Sequence, residues 1–224
     1  MPRLLLFCAV VMLLVGLNAC SSDPALQFER PQPLTGTEEP AFPEALWGQY
    51  FNAQDSTTLL LTSSALVQKM QFLSPTAVQE LKQDSIPYKV ENGRLYRSDF
   101  PEGLPIVRST PDSLYLQVTI LDTLFAQDAT HQLRSFKGMY FLNQQIAPNR
   151  WKVFCLSRQG RKRIRLQYLD DSVDVAKLEA IIPLRETGKV FLANPSQKDL
   201  RKFLKQGGFS QRETYTRVSE GLEL

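Results

Sequence analysis

The sequence predicts an α+β fold, mainly an antiparallel β-meander arranged as a sheet or a partly closed barrel, with about three short helices. Three observations predict it. Short runs rich in β-branched and aromatic residues recur between turn residues from Trp47 to Val218. Asn92-Gly93 joins two of these runs with the chemistry of a tight hairpin turn. Three segments, after Ser74, Asp171 and Ser196, carry helix-start residues followed by apolar residues at helical spacing. The composition agrees. A chain of 224 residues, 43% hydrophobic and 22% charged, can bury one good core or two small ones. It is not a disordered, collagen-like or disulfide-dense chain.

Met1-Pro2-Arg3 carries one positive charge, and Leu4 to Leu17 is almost entirely apolar. A charged start, a short apolar run and small residues behind it describe a secretory signal peptide over residues 1–19. Fourteen residues rise only about 21 Å as a helix, short of a ~30 Å hydrocarbon core.

Leu17-Asn18-Ala19-Cys20 follows, then the polar Ser21-Ser22-Asp23. These residues resemble the lipobox of bacterial lipoproteins, and the resemblance ends near residue 23. It implies cleavage before Cys20, a diacylglycerol on the Cys20 thiol and a fatty acyl group, such as palmitate, on the new amino group. It implies no other cofactor. It also implies an address in the cell envelope, lipid-anchored toward the periplasm or the cell surface, with the outer membrane ahead of the inner. One acyl chain anchors only marginally, whereas two or three on one cysteine hold a protein stably at a membrane.

Residues 20–44 hold five of the fourteen prolines: Pro24, Pro31, Pro33, Pro40 and Pro43. Proline fixes φ and removes a backbone donor, so a Pro-rich tether is expected here. The globular body is expected over 45–224. Its strands are read at Trp47–Phe51, Thr57–Thr62, Leu66–Phe72, Tyr88–Glu91, Arg94–Arg97, Leu104–Arg108 and Leu114–Leu121. Ser74-Pro75 is expected to cap a short helix with Val78 and Leu81 inward. Beyond Phe136–Phe141, Trp151–Leu156 and Arg161–Leu169 form a second hairpin. Asp171-Ser172 caps a helix that turns Val175, Leu178, Ile181 and Ile182 to one side. Ser196 and Asp199 have capping-box spacing before Leu200, Phe203 and Leu204, and Gly207-Gly208 stops that helix. Phe209–Val218 supplies a last strand. Gly-x-Tyr-Phe occurs at Gly48 and again at Gly138, so two similar halves, about 45–128 and 132–218, are an open possibility.

Residues with catalytic potential are few. His131 is the only histidine, set in an expected loop beside Asp128. No Gly-x-Ser-x-Gly elbow accompanies it. Of three cysteines, Cys8 leaves with the leader and Cys20 is acylated, so Cys155 remains as a small core hydrophobe. Four Cys/His zinc ligands are not available. Asp170, Asp171 and Asp174 suit a helix N-terminus better than a cation. The densest basic run is Arg158 to Arg165. Alternation puts Arg161, Arg163 and Arg165 on one strand face, a candidate contact for anionic headgroups. Losing Arg3 takes the formal charge from +3 to +2, which argues against nucleic acid as a partner.

Three functional readings follow. The first is a membrane-anchored envelope lipoprotein whose body is a non-catalytic binding or assembly module, with the lipid membrane as one partner through Cys20 and an envelope protein as another. The second is a carrier of a small apolar ligand in a barrel-like pocket. The third is an envelope hydrolase using two carboxylates, which requires a buried pair roughly 5–10 Å apart. A filled core beside an exposed apolar patch distinguishes the first.

Overall fold

The structure, a computed structural model, describes residues 25–218. In chain order it runs β1 (Leu26–Phe28), β2 (Thr37–Glu38), a 3-10 turn (Glu44–Leu46), β3 (Gly48–Asn52), β4 (Thr57–Leu61) and β5 (Ala65–Ala77). Helix α1 (Val78–Gln83) precedes β6 (Tyr88–Glu91), β7 (Arg94–Arg97), β8 (Phe100–Ser109) and β9 (Ser113–Ala126). Then come β10 (His131–Phe136), β11 (Met139–Ala147), β12 (Arg150–Gln159) and β13 (Arg163–Tyr168). Helix α2 (Asp171–Glu179), β14 (Arg185–Thr187), β15 (Val190–Ala193), helix α3 (Gln197–Lys205) and β16 (Gln211–Arg217) complete it. The fold is α+β as expected, mainly antiparallel strands with three short helices. The ladders stay open, so the sheet alternative holds and the partly closed barrel does not.

The chain divides into two compact units. Of the described residues, the first comprises 25–40, Gln127–Arg158 and Arg165–Glu213. Here β1 lies between β15, to which it is parallel (Leu26 opposite Phe191), and β12, to which it is antiparallel (Phe28 opposite Trp151). Beyond β12 the ladder continues through β11, β10 and β2. The reason β1 forms is its apolar content. Leu26 and Phe28 are fully buried, and Gln27 is buried with its Oε1 accepting from Arg150 Nε at 2.7 Å. Farther along, Asn143 Oδ1 accepts from Gln32 N at 2.6 Å, and Asn143 Nδ2 donates to Gln32 O at 2.8 Å.

The expected tether over 20–44 is therefore corrected. From Leu26 the segment is folded body, because buried apolar side chains and ladder hydrogen bonds outweigh the extended preference of its prolines.

The core of this unit gathers around Phe209. Its ring centroid lies 6.4 Å from that of Phe28, 6.1 Å from Phe141 and 5.7 Å from Phe203. Leu178 of α2 and Leu200 of α3 close over it. Phe209 holds φ at +54°, a conformation a bulky residue keeps only when packing enforces it. The preceding Gly208 permits that approach, since a Cβ there would sit 2.5 Å from the Phe203 ring. The capping box of α3 is found as read, at Ser196 and Asp199, whereas the cap of α2 is Asp170, one residue before the expected Asp171.

Of the described residues, the second unit comprises Ala41–Ala126, Gln159–Ile164 and 214–218. Its ladder runs β3, β4, β5, β9, β8, β7, β6, with the end of β16 beside β3. The Asn92-Gly93 turn is found as read, with φ of +49° and +70°. A small cluster of Leu81, Leu95, Leu114 and Leu116 sits under α1. The cap expected at Ser74-Pro75 is corrected: both residues belong to β5, opposite Leu116 and Tyr115. Pro75 is tolerated because β4 pairs with β5 no farther than Met70, so that edge needs no donor. Helix α1 starts at Val78 with no side-chain cap.

The chain leaves and re-enters each unit, so neither unit is a single stretch of sequence. The shared Gly-x-Tyr-Phe does not mark a common element. Gly48 opens β3 with φ of +139°, whereas Gly138 ends the β10–β11 turn with φ of +74°.

Candidate functional site

The ribbon of β5 and β9 carries the feature that sequence reasoning missed. These strands pair over their full length, with Met70 opposite Ile120 and Phe72 opposite Val118. The face bearing these four is buried at one end by Leu66 and at the other by Leu114 and Leu116. Between those ends it is open: Phe72 is 50% exposed and Ile120 42%. On the opposite face Leu73 and Leu121 are exposed at 54% and 64%. The physical cause is the mismatch of neighbours. β4 stops at Met70, and β8 pairs with β9 only at Leu114, Tyr115 and Leu116. The middle of the ribbon lacks flanking strands in its ladder.

Alternation along β9 puts Leu114, Leu116, Val118 and Ile120 on one face, of which only Leu114 and Leu116 are buried. Apolar alternation marks a face and does not say whether anything covers it. A surface of this kind can hold a partner's apolar side chains by contact, on either side of the ribbon.

Cys20 lies outside the described residues. Arg161 is exposed in the turn between β12 and β13, so it is not on the strand face expected for it. Arg163 and Arg165 do alternate on β13, the first exposed and the second half-buried. The turn forms because Gly160 takes φ of +74°, which starts β13 two residues later than the alternation assumed. Arg161 and Arg163 belong to the second unit and Arg165 to the first.

His131 opens β10 and is not in a loop. Its Nδ1 lies 2.8 Å from Asp128 Oδ1. Hydrogen bonds from His131 and from Thr130 hold the Asp128 carboxyl well below the usual carboxylate range. All three are local turn partners, within three residues of one another. Cys155 is buried, and burial pushes its thiol up, so the nucleophilic thiolate is disfavoured. Tyr50, Phe141 and Trp151 are buried in the core. Trp47 is partly exposed and donates from Nε1 to Phe42 O at 2.8 Å.

The Asp170, Asp171 and Asp174 group holds the start of α2. Asp170 Oδ1 accepts from Ser172 N, Ser172 Oγ and Val173 N. Asp171 Oδ1 accepts from Leu26 N. Asp174 is fully buried and accepts through Oδ2 from Asp170 N, Ser210 N and Ser210 Oγ. All three carboxylates thus have structural work, and among the described residues no group of three or more His, Cys, Asp or Glu is placed to hold a metal ion.

The Asp170 cap makes a pH prediction. Its carboxyl is lowered, first by the Ser172 hydroxyl and then by Val173 N–H. A depressed folded pKa contributes stability above the unfolded value near 3.9, and that contribution is lost as pH falls through the folded value. A carbon-detected NMR titration should place the Asp170 midpoint below that of an ordinary aspartate, and Ser172→Ala should move it back up. An Asp170 midpoint at the ordinary value would contradict the cap.

No family model, no curated protein and no solved structure matches this chain. Among the described residues no helix is long and apolar enough to cross a membrane.

Proposed function

We propose that this chain is a lipid-anchored protein of the bacterial cell envelope, tethered through Cys20, whose body is a non-catalytic binding or assembly module. The observation that carries the binding reading is the open β5–β9 ribbon. It exposes Phe72, Leu73, Ile120 and Leu121 within one element, while the interior of the first unit is filled by packed aromatic rings. Exposed single hydrophobes are ordinary, but Phe72 and Ile120 are diagonal neighbours on one face of the paired strands, and adjacent exposed apolar side chains mark interaction surfaces. The filled core weighs against a carrier of a small apolar ligand. Among the described residues Asp174 is the only buried carboxylate, and its oxygens face Lys177, backbone donors and the Ser210 hydroxyl, which weighs against a carboxylate-pair hydrolase.

Two measurements test this reading. Cys20→Ala should abolish metabolic labelling with a fatty acid and release the protein from membranes, and persistent labelling would sink the anchor. A photo-crosslinking amino acid at Leu121 should capture one envelope protein in intact cells. Phe72→Ser with Leu73→Ser should remove that crosslink while leaving the urea midpoint nearly unchanged. Capture that is unaffected by the double substitution would remove the ribbon from the function.

A further inference from the structure

The position of β1 has a geometric consequence for the anchored protein. If Cys20 carries the lipid, only residues 21–25 separate it from β1, whatever path they take. Extended chain spans at most about 3.5 Å per residue, so Leu26 lies within about 20 Å of the acylated residue. The chain does not arrive at a loose end of the unit. It passes directly into the sheet, where Leu26 N donates to Asp171 Oδ1 and Ala25 O accepts from Phe191 N at 2.6 Å.

The register then orders the unit along the strand direction. β1 is parallel to β15, with Leu26 opposite Phe191, so the exposed Gly188-Lys189 turn lies behind the point where the chain arrives. β1 is antiparallel to β12, with Phe28 opposite Trp151, so the exposed turn residue Asn149 lies ahead of it. Those two turns differ by about six residue steps, or roughly 20 Å along the strands. That separation is comparable to the whole leash.

We propose that the β14–β15 turn, Gly188-Lys189, is the membrane-proximal end of the first unit and that the β11–β12 turn at Asn149 points away from the lipid. This inference rests on acylation of Cys20. The partner is a lipid headgroup surface, held there by the shortness of the leash. The orientation is therefore insensitive to salt and to anionic lipid, in contrast to a contact made by Arg161, Arg163 and Arg165, which salt would screen.

The test uses the acylated full-length protein in phosphatidylcholine vesicles, with and without phosphatidylglycerol. Lys189→Cys and Asn149→Cys are each labelled with a fluorophore, Cys155 being buried and protected. A nitroxide quencher is attached to the lipid headgroup. Quenching is expected to be several-fold greater at 189 than at 149, in both lipid mixtures and at low and high salt. Inserting about twenty Gly/Ser residues between Ser22 and Asp23 should erase that difference while the protein stays bound. Equal or reversed quenching with intact acylation overturns the orientation alone. A difference that survives the inserted linker, or that salt abolishes, overturns the leash as its cause. Mass spectrometry showing an unmodified Cys20 overturns both this inference and the anchor it rests on.

Discussion

Phe28→Ala is expected to destabilise the protein by about 3–5 kcal/mol, the range for truncating a buried aromatic residue. Phe28 is fully buried, stacks on Phe209 at 6.4 Å and sits in β1 between β12 and β15. Its loss opens a cavity beside the ring cluster and loosens the strand that joins the two neighbours. Against a typical total of about 5–15 kcal/mol, this is a large fraction. Urea unfolding monitored by tryptophan fluorescence would show the midpoint fall. Thr35→Ala, at an exposed position eight residues or fewer from the strand, should stay within about 0.5 kcal/mol of the parent. The contrast is decisive for the N-terminal segment. A Pro-rich tether would leave the stability unchanged in both variants. A Phe28→Ala protein as stable as the parent would remove β1 from the folded body.

The N-terminal segment also shows which parts of the fold were legible in the sequence. The Asn92-Gly93 hairpin and the Ser196 capping box were readable because each is fixed by residues within a few positions of one another. β1 was not, because Leu26-Gln27-Phe28 becomes a strand only through partners more than a hundred residues away, Trp151 and Phe191. Five nearby prolines pointed locally to extended chain, and nothing local opposed them. The Lys137-Gly138 turn was missed for a similar reason. Lys137 takes φ of +51°, which its residue type does not advertise. At the candidate site the apolar alternation of β9 was readable, but the shortness of its neighbours was not. Exposure of Phe72 and Leu121 depends on where β4 and β8 stop, a property of the ladder and not of the two strands themselves.

Asp174→Ala is the second large effect, expected at about 3–5 kcal/mol because it removes a fully buried carboxylate, strands the donors bonded to it and leaves the half-buried Lys177 without its counter-charge. Asp174 has no exposed surface, and three donors converge on its Oδ2: Asp170 N at 2.8 Å, Ser210 N at 2.9 Å and Ser210 Oγ at 3.0 Å. Its Oδ1 makes no hydrogen bond but lies 3.5 Å from Lys177 Nζ, which itself donates to Gly207 O at 2.9 Å. The carboxylate therefore ties the start of α2 to the 207–210 segment, the same segment that delivers Phe209 into the core. Alanine would leave those donors without an acceptor and the ammonium without its counter-charge. Asp174→Asn keeps the shape and one acceptor oxygen, so its cost should be smaller, about 1–3 kcal/mol. Amide hydrogen exchange separates the two consequences. Protection at Ser210 should fall sharply in the alanine variant, and more than protection in β5, which belongs to the other unit. Equal loss at both sites would mean that Asp174 acts through global stability alone, and no loss at Ser210 would mean that the carboxylate does not hold the segment.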